Sequence, residues 1–290
     1  MPAAIINIAP PPVLQDPALQ QELDREGAVQ FPFLSPEALE ELTAFYHKMH
    51  PTVPEGPIKG FYVSSHSSDV NYKIAIQNEI QKIITPFIAK YMHETKLINS
   101  AILIKSAAPI SELGLHQDWT VVDETKYAGY GLWIPLVDAT EQNGTISFIY
   151  RSHRIGPTYR HVALPSIYSN INTSIAKYLK PMPVKAGHAI LFNQAVLHYS
   201  AHNLSPIARP AIINIVTSTQ AQHIMYAQSQ TPDLLDIYSV KDDYMQHYQS
   251  FFEDSLKVPA DAQKIGTQQT DHRPITIEEF DYLYHQLQNQ

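Results

Sequence analysis

The stretch "GLHQDW" places His116 and Asp118 two positions apart, with Trp119 directly after. In an extended chain the side-chain period is two, so His116 and Asp118 share a face and can bind one ion together. A third ligand must come from elsewhere, and "AGHAILFNQAVLHYSAHN" offers His188, His198 and His202. His188 follows a glycine where a strand should start, which suits a sheet edge. His198 ends an apolar run and precedes small polar residues, where a buried strand would open into a pocket, so it is the preferred ligand of the three. Two imidazoles and one carboxylate leave three adjacent coordination positions open, the arrangement of non-haem Fe(II) oxygenases, which fill them with a bidentate 2-oxo acid and O2. Such a site needs a cation for the far carboxylate of the 2-oxo acid, preferably an arginine, whose planar fork grips carboxylate with two bonds. Arg209 starts the next β-type run and can return beside His198, while Ser200, in phase with His198, can donate a hydroxyl hydrogen bond.

The composition narrows the alternatives. Zero cysteines among 290 residues remove disulfides, zinc–thiolate sites, iron–sulfur clusters and thiol nucleophiles, so any metal is held by nitrogen and oxygen. A net charge of -8 disfavours a phosphate-backbone binder, and no nucleic acid partner is expected. The start "MPAAIINIAPPPVLQ" lacks a basic segment and is broken by prolines, unlike a signal peptide. No apolar run reaches the roughly 18 residues that span a bilayer. The expectation is a cytoplasmic protein without membrane association.

Elements that could position these groups follow from local signals. Asp16 before Pro17 and Ser35 before Pro36 read as helix caps, with Gly27 as a stop, and apolar residues from Ile74 to Ile84 have a helical period. Residues from about 1 to 95 are expected to be mainly helical, apart from a short strand at "AVQFPF". From Ile98 the texture turns to short β-branched and aromatic runs: "INSAILIKS", "YGLWIPLVD", "TISFIYRS", "PMPVKAG", "HAILFNQ" and "RPAIINIVTST". Asn143-Gly144 reads as a tight turn between antiparallel strands. Beyond Thr219, "DLLDIYSVKDDYMQHYQSFFED" and "TIEEFDYLYHQLQ" read as helices. The reading is one domain over 1–290, mainly β with flanking helices: a jelly-roll core over about 96–219, N-terminal helices outside it, and a helical C-terminal extension over about 220–290. That extension would serve either as a lid or as a homodimer contact.

"HQDW", "LWIPLVDATEQNGTISFIYRSH" and "AGHAILFNQAVLHYSAHNLSPIAR" together resemble the phytanoyl-CoA dioxygenase family of Fe(II)- and 2-oxoglutarate-dependent oxygenases. The resemblance implies a cupin-like double-stranded β-helix, with iron on His116, Asp118 and His198. It implies that Arg209 and Ser200 hold the distal carboxylate of 2-oxoglutarate, that Trp133 lines the co-substrate pocket, and that Gln117 and Asn203 lie close to the centre. Lys105 matches a basic residue common on the strand leading into the iron loop and, with Gln117 and Asn203, counts among the co-substrate-binding candidates. "YRSH" departs from the family's Pro-Gly-Ser-His, with Tyr150 and Arg151 in the first two places, and that segment bears on the pocket mouth. Because Asp118 is present where related halogenases carry a small residue, the resemblance favours hydroxylation over halogenation.

Aromatic residues on strands are usually core, yet Trp119, Tyr130 and Phe192 lie near enough to the motif to be substrate candidates. His153 reads as a hydrogen-bonded structural residue. The expected reaction is 2-oxoglutarate-dependent hydroxylation of an unactivated carbon in a small, amino-acid-like or natural-product molecule, with succinate and CO2 released. Desaturation, epoxidation, ring formation and acyl-CoA 2-hydroxylation use the same ligands. A jelly-roll protein that binds a metabolite without turnover, and an oxygen-independent metal hydrolase or isomerase, are the readings from other classes.

Overall fold

In a computed structural model, which describes residues 4–162, 164–231, 233–270 and 273–290, the helix signals act where the sequence sets them. Helix α1 (Pro17–Glu26) starts at Asp16, whose carboxylate accepts from the Ala18 amide at 2.8 Å, and stops at Gly27 with φ 82°. Strand β1 (Ala28–Pro32) leads to α2 (Pro36–Met49), capped by Ser35, then β2 (Phe61–Val63) and the long α3 (Val70–Tyr91), capped by Asp69. There follow β3 (Thr95–Lys105), β4 (Leu113–His116), β5 (Tyr130–Pro135), β6 (Ile146–Ile149), α4 (Asn172–Ile175), β7 (Lys180–Pro181), β8 (His188–Asn193), β9 (Leu197–Ser200) and β10 (Arg209–Ser218).

Two antiparallel sheets form the jelly roll. One has six strands in the order β1-β8-β5-β10-β3-β2, and the other has four in the order β4-β9-β6-β7. The larger sheet is covered on both faces. Leu132 and Ile134 of β5, Leu191 of β8 and Ile212 of β10 pack on Leu42 of α2 and Ile80 of α3. On the other face, Trp133, Ile190 and Phe192 meet Ile146 and Phe148 of the smaller sheet. Strand β5 is therefore buried at every position, which is why "YGLWIP" reads as a continuous apolar run rather than an alternating one. Truncating a fully buried leucine here, such as Leu132→Ala, should cost about 2–5 kcal/mol.

Three local expectations are corrected. Asn143-Gly144 does not close a hairpin: β5 and β6 belong to different sheets, and the turn, with Gly144 at φ 73°, carries the chain across from one to the other. Only Lys180–Pro181 of the "KPMPVKAG" region forms a strand, with Val184 in an isolated bridge to Ala139. "DLLDIYS" is extended rather than helical. A third sheet comprises β11 (Ile224–Gln228), β12 (Leu234–Ser239) and β13 (Gln263–Gln269), with β12 central. Apolar residues at 234, 235, 237 and 238 fit either period over so short a run, and pairing on both edges decides for strand.

The short α5 (Phe251–Asp254) precedes β13, and α6 (Ile277–Gln288) ends the chain. Helix α6 begins in a capping box of Thr276 and Glu279, and it buries Phe280, Leu283 and Leu287 against Ile149 of β6 and Leu197 of β9. The C-terminal helix thus braces the strand that carries His198. Among the described residues no helix is long and apolar enough to cross a membrane.

Candidate metal centre and co-substrate cleft

Strands β4 and β9 pair antiparallel, with His116 in register opposite His198. Their rings lie 4.1 Å apart between centroids. Asp118, just past the end of β4, places Oδ1 3.8 Å from His116 Nε2 and 3.9 Å from His198 Nε2. One ligand atom from each of the three residues lies within 4.8 Å of the others. His188 and His202 take no part in this cluster. His188 pairs with Pro32 at the start of β8, and His202 faces Glu112 at 3.4 Å.

The protonation of this set suits a metal. His116 Nδ1 donates to the Gly114 carbonyl at 2.7 Å and His198 Nδ1 to the Val196 carbonyl at 3.0 Å, which turns both Nε2 atoms toward Asp118. Burial, with the neighbouring His116 adding to it, pushes the His198 imidazole down to about 4, so it is neutral at physiological pH. The Asp118 backbone is clamped from two sides: its N–H donates to Gln194 O at 2.9 Å, and its carbonyl accepts from Arg160 Nε at 2.7 Å. Arg160 is held in turn by a buried fork on Glu124, at 2.7 and 2.5 Å. No sequence motif signals this pair, because Arg160 lies in an irregular segment whose approach to the site is purely tertiary.

The cluster opens into a cavity of about 340 Å³ between the two sheets, lined also by Gln117, Trp119, Trp133, Phe192, Ser200 and Arg209. Arg209, only 2 % exposed, stands at one end. Its Nε donates to Asn143 O at 3.2 Å and its guanidinium lies 4.9 Å from the Trp133 ring centroid. Its Nη1 is buried without a partner. Burial pushes the guanidinium down to about 9, the mark of a cation desolvated without a full counter-charge. Ser200 lies beside it, its hydroxyl donating to Gly144 O at 2.8 Å.

Other sequence candidates have different places. Lys105 is fully buried behind the cavity wall, where its amino group donates to the carbonyls of Ser111, Ser200 and Ala201 at 2.6, 3.0 and 2.6 Å. All three of its donors are spent on backbone, which ties the β3 end to the loop after β9 and leaves none for a co-substrate. Asn203 is likewise a strut, donating to the carbonyls of Lys105 and Ile207. Tyr130 points away: alternation along β5 puts it with Leu132 on the helix-covered face, opposite to Trp133. Gln117 faces the cavity and donates to Ala195 O. His153 is hydrogen-bonded to Asp24 O at 3.1 Å.

The departure at Tyr150-Arg151 acquires a physical meaning. Arg151 has φ 67°, a left-handed conformation that glycine adopts freely. Its side chain bridges Glu26 at 2.9 Å and the last turn of α6 at Leu287 O, 2.6 Å, which offsets the backbone strain. Among the polar and flexible side chains that line the cavity without a motif to announce them are His66, Asn99, Gln194 and Met245. Asn99 and Gln194 were within reach of the strand period, being in phase with Leu103 on β3 and with Phe192 on β8. Met245 carries no such signal.

A jelly roll with a two-histidine, one-carboxylate cluster beside a buried, half-satisfied arginine defines a class of protein, that of the non-haem Fe(II)/2-oxoglutarate oxygenases. The chain belongs to the phytanoyl-CoA dioxygenase (PhyH) family, whose profile matches residues 24–211. It is 33% identical over 139 residues to a Danio rerio protein named phytanoyl-CoA dioxygenase domain-containing protein 1, covering 43% of this chain and 47% of the relative. It is 30% identical over 128 residues to Oryza sativa phytanoyl-CoA dioxygenase 1, covering 43% of this chain and 45% of that one. The matched stretch thus spans about half the length of these curated relatives. Among solved structures, iron-bound EctD from S. alaskensis superposes with a TM-score of 0.53 at 18% identity, over 76% of this chain and 86% of the other. The α-ketoglutarate-dependent carbocyclase SnoK from nogalamycin biosynthesis gives 0.51 at 16%, over 72% and 86%. At such identities these likenesses establish the shared fold.

Proposed function

We propose that the chain is an Fe(II)- and 2-oxoglutarate-dependent dioxygenase that hydroxylates an unactivated carbon of a small molecule and releases succinate and CO2. His116, Asp118 and His198 would hold the iron, and Arg209, with Ser200, the distal carboxylate of the co-substrate. Iron(II) with bound 2-oxoglutarate supplies dioxygen activation coupled to decarboxylation. The chain's own contributions are steric and electrostatic. The two Nδ1–H bonds hold the imidazoles in the ligating tautomer, Arg160 and Gln194 fix the Asp118 backbone, and the apolar walls keep bulk water from the reacting carbon.

The single observation that carries this reading is Arg209. A buried guanidinium with an orphan Nη1, in the same cavity as the triad, is costly unless an anion completes it. A carboxylate in a bidentate pose supplies what is missing. PhyH membership and the Nδ1–H bonds that fix the orientation of both imidazoles support the same conclusion.

The test is anaerobic reconstitution with Fe(II) and 2-oxoglutarate, followed by air. Formation of a weak visible charge-transfer band and then of succinate, both absent in His116→Ala and Asp118→Ala, is the expected result. A His116→Ala protein indistinguishable from the parent in metal binding and succinate release would sink the proposal. Metal binding with 2-oxoglutarate bound but never consumed would point to a non-catalytic binding protein.

A further inference from the structure

The cavity is long, and its two ends differ. Along β10 the inward positions run from Arg209 through Ala211 and Ile213 to Ile215, a span of about 20 Å at the rise of an extended chain. Register places Lys105 opposite Arg209 and Asn99 opposite Ile215 on one side. On the other side Gly131 lies opposite Ile215, and Phe192 lies opposite Gly131. Gln194, two residues beyond Phe192, donates its backbone N–H to Gly129 O, so Gln194 and Asn99 both stand at the end remote from Arg209.

Charge is distributed unevenly along this slot. Among the described lining residues, Asp118 and Arg209 are the only aspartate, glutamate, lysine or arginine side chains. The proposed chemistry uses both. When the centre is loaded, the double charge of iron(II) and the single charge of Arg209 balance the Asp118 carboxylate and the two carboxylates of 2-oxoglutarate. No lining side chain is left to compensate a charged substrate, and Lys73, behind His66, spends its amino group on the Tyr248 carbonyl. His66, the one titratable group at the remote end, is held neutral by burial, which pushes it down to about 4.

What the remote end offers is neutral and polar within apolar walls. Gln194 lines the cavity at 2 % exposure, and its Oε1, buried against Gly129, has no hydrogen-bond partner, so the side-chain amide is not committed to the protein through that oxygen. That oxygen lies so close to the backbone that a Cβ on Gly129 would come within 2.1 Å of it. Asn99 has its Oδ1 engaged by Gln246 Nε2 at 2.8 Å, which leaves its amide N–H groups as donors toward the cavity. Between them stand Ile215, Val121 and Met245.

We infer that the substrate is an uncharged, largely apolar molecule with a neutral hydrogen-bonding group such as a hydroxyl, read by Gln194 and Asn99 at the end of the cavity remote from Arg209. This rests on the oxygenase reading, since that reading assigns Asp118 and Arg209 to iron and 2-oxoglutarate. It separates the two substrate kinds expected from the sequence: a free amino acid, a zwitterion, would bury two uncompensated charges, whereas a neutral natural-product skeleton would bury none. An acyl-CoA would likewise find no cation here for its phosphates.

The test exploits the two tryptophans of the chain, Trp119 and Trp133, which both line the cavity and report its occupancy by fluorescence. Protein loaded with redox-inert Zn(II) and 2-oxoglutarate is titrated with molecules that share one carbocyclic skeleton: indane, 1-indanol, 1-aminoindane, indane-1-carboxylate and 2-aminoindane-2-carboxylate. The expected order has 1-indanol binding at least about tenfold more tightly than each charged analogue, a difference of about 1.4 kcal/mol. Gln194→Leu should erase the advantage of 1-indanol over indane and leave indane binding unchanged, which also shows that the variant is folded. A charged analogue binding as tightly as 1-indanol, no saturable signal from 1-indanol, or an unaltered Gln194→Leu overturns the inference. Because no turnover is measured, the two readings fail separately. Neutral preference without succinate formation on iron removes the oxygenase reading alone, and succinate formation stimulated by amino acids or acyl-CoA removes the substrate inference alone.

Discussion

His116 and His198 face each other in register across two antiparallel strands, with ring centroids 4.1 Å apart and each Nδ1–H tied to a backbone carbonyl two residues earlier. Residues remote in sequence are thereby held as one pair, each presenting an Nε2 that could ligate a metal. The sheet register, rather than any loop closure, sets the spacing, so the pair is preorganised before metal arrives.

Arg209 is expected to carry co-substrate affinity. Arg209→Met should weaken 2-oxoglutarate binding by about thirtyfold or more, since truncating one member of a buried charge pair costs about 2 kcal/mol or more. Arg209→Lys retains the charge, loses the planar fork and the stacking on Trp133, and should fall between. Isothermal titration of the Zn(II)-loaded protein measures both. Equal affinity in parent and Arg209→Met would remove Arg209 from the site.

Lys105 gives the opposite pattern. Burial, with Arg209 nearby, pushes its amino group down to about 7, yet the three carbonyls that it serves are structural. Lys105→Met should leave those carbonyls unpaired and destabilise the fold by about 3 kcal/mol. Affinity for 2-oxoglutarate, measured on the folded fraction at low temperature, should stay within about twofold. A large loss of affinity with unchanged melting temperature would restore the co-substrate role suggested by the sequence.

Arg160 should behave as a positioning residue for Asp118. Arg160→Lys keeps a charge beside Glu124 but loses the fork that also reaches the Asp118 carbonyl. Metal affinity should fall about tenfold, in the range typical of groups that orient ligands. Paramagnetic resonance of bound Mn(II) reports affinity and site geometry together. An unchanged spectrum and affinity would show that the Asp118 backbone needs no such clamp.

Acid should unfold the metal-free protein through its buried histidines. Burial pushes His153, His161 and His223 down to about 4, whereas in the unfolded chain they titrate near 6.5. The folded pKa values are depressed, so the unfolded state binds more protons in that interval. Stability is held above about pH 6.5 and lost as pH falls toward 4. Urea midpoints measured from pH 8 to 4 should be flat at first and then decline, with a shallower decline in His223→Phe. A flat profile down to pH 4 contradicts the assignment.

The sequence by itself determined the ligand types and their local phase. His116-x-Asp118 lies on one face because the strand period is two, the helix caps at Asp16 and Ser35 are local chemistry, and the absence of cysteine confines any metal to nitrogen and oxygen donors. Tertiary structure alone decided what those groups meet. Local pattern does not distinguish the two covered faces of β5, so Tyr130 and Trp133 looked alike until the helices took one side and the cavity the other. It could not say that Lys105 would exhaust its donors on three carbonyls, that Arg160 would come from an irregular segment to hold Asp118, or that "DLLDIYS" would be drawn into a sheet by partners on both edges. Periodicity is written in neighbouring residues, but hydrogen-bond satisfaction and burial depend on groups that only the folded chain brings into contact.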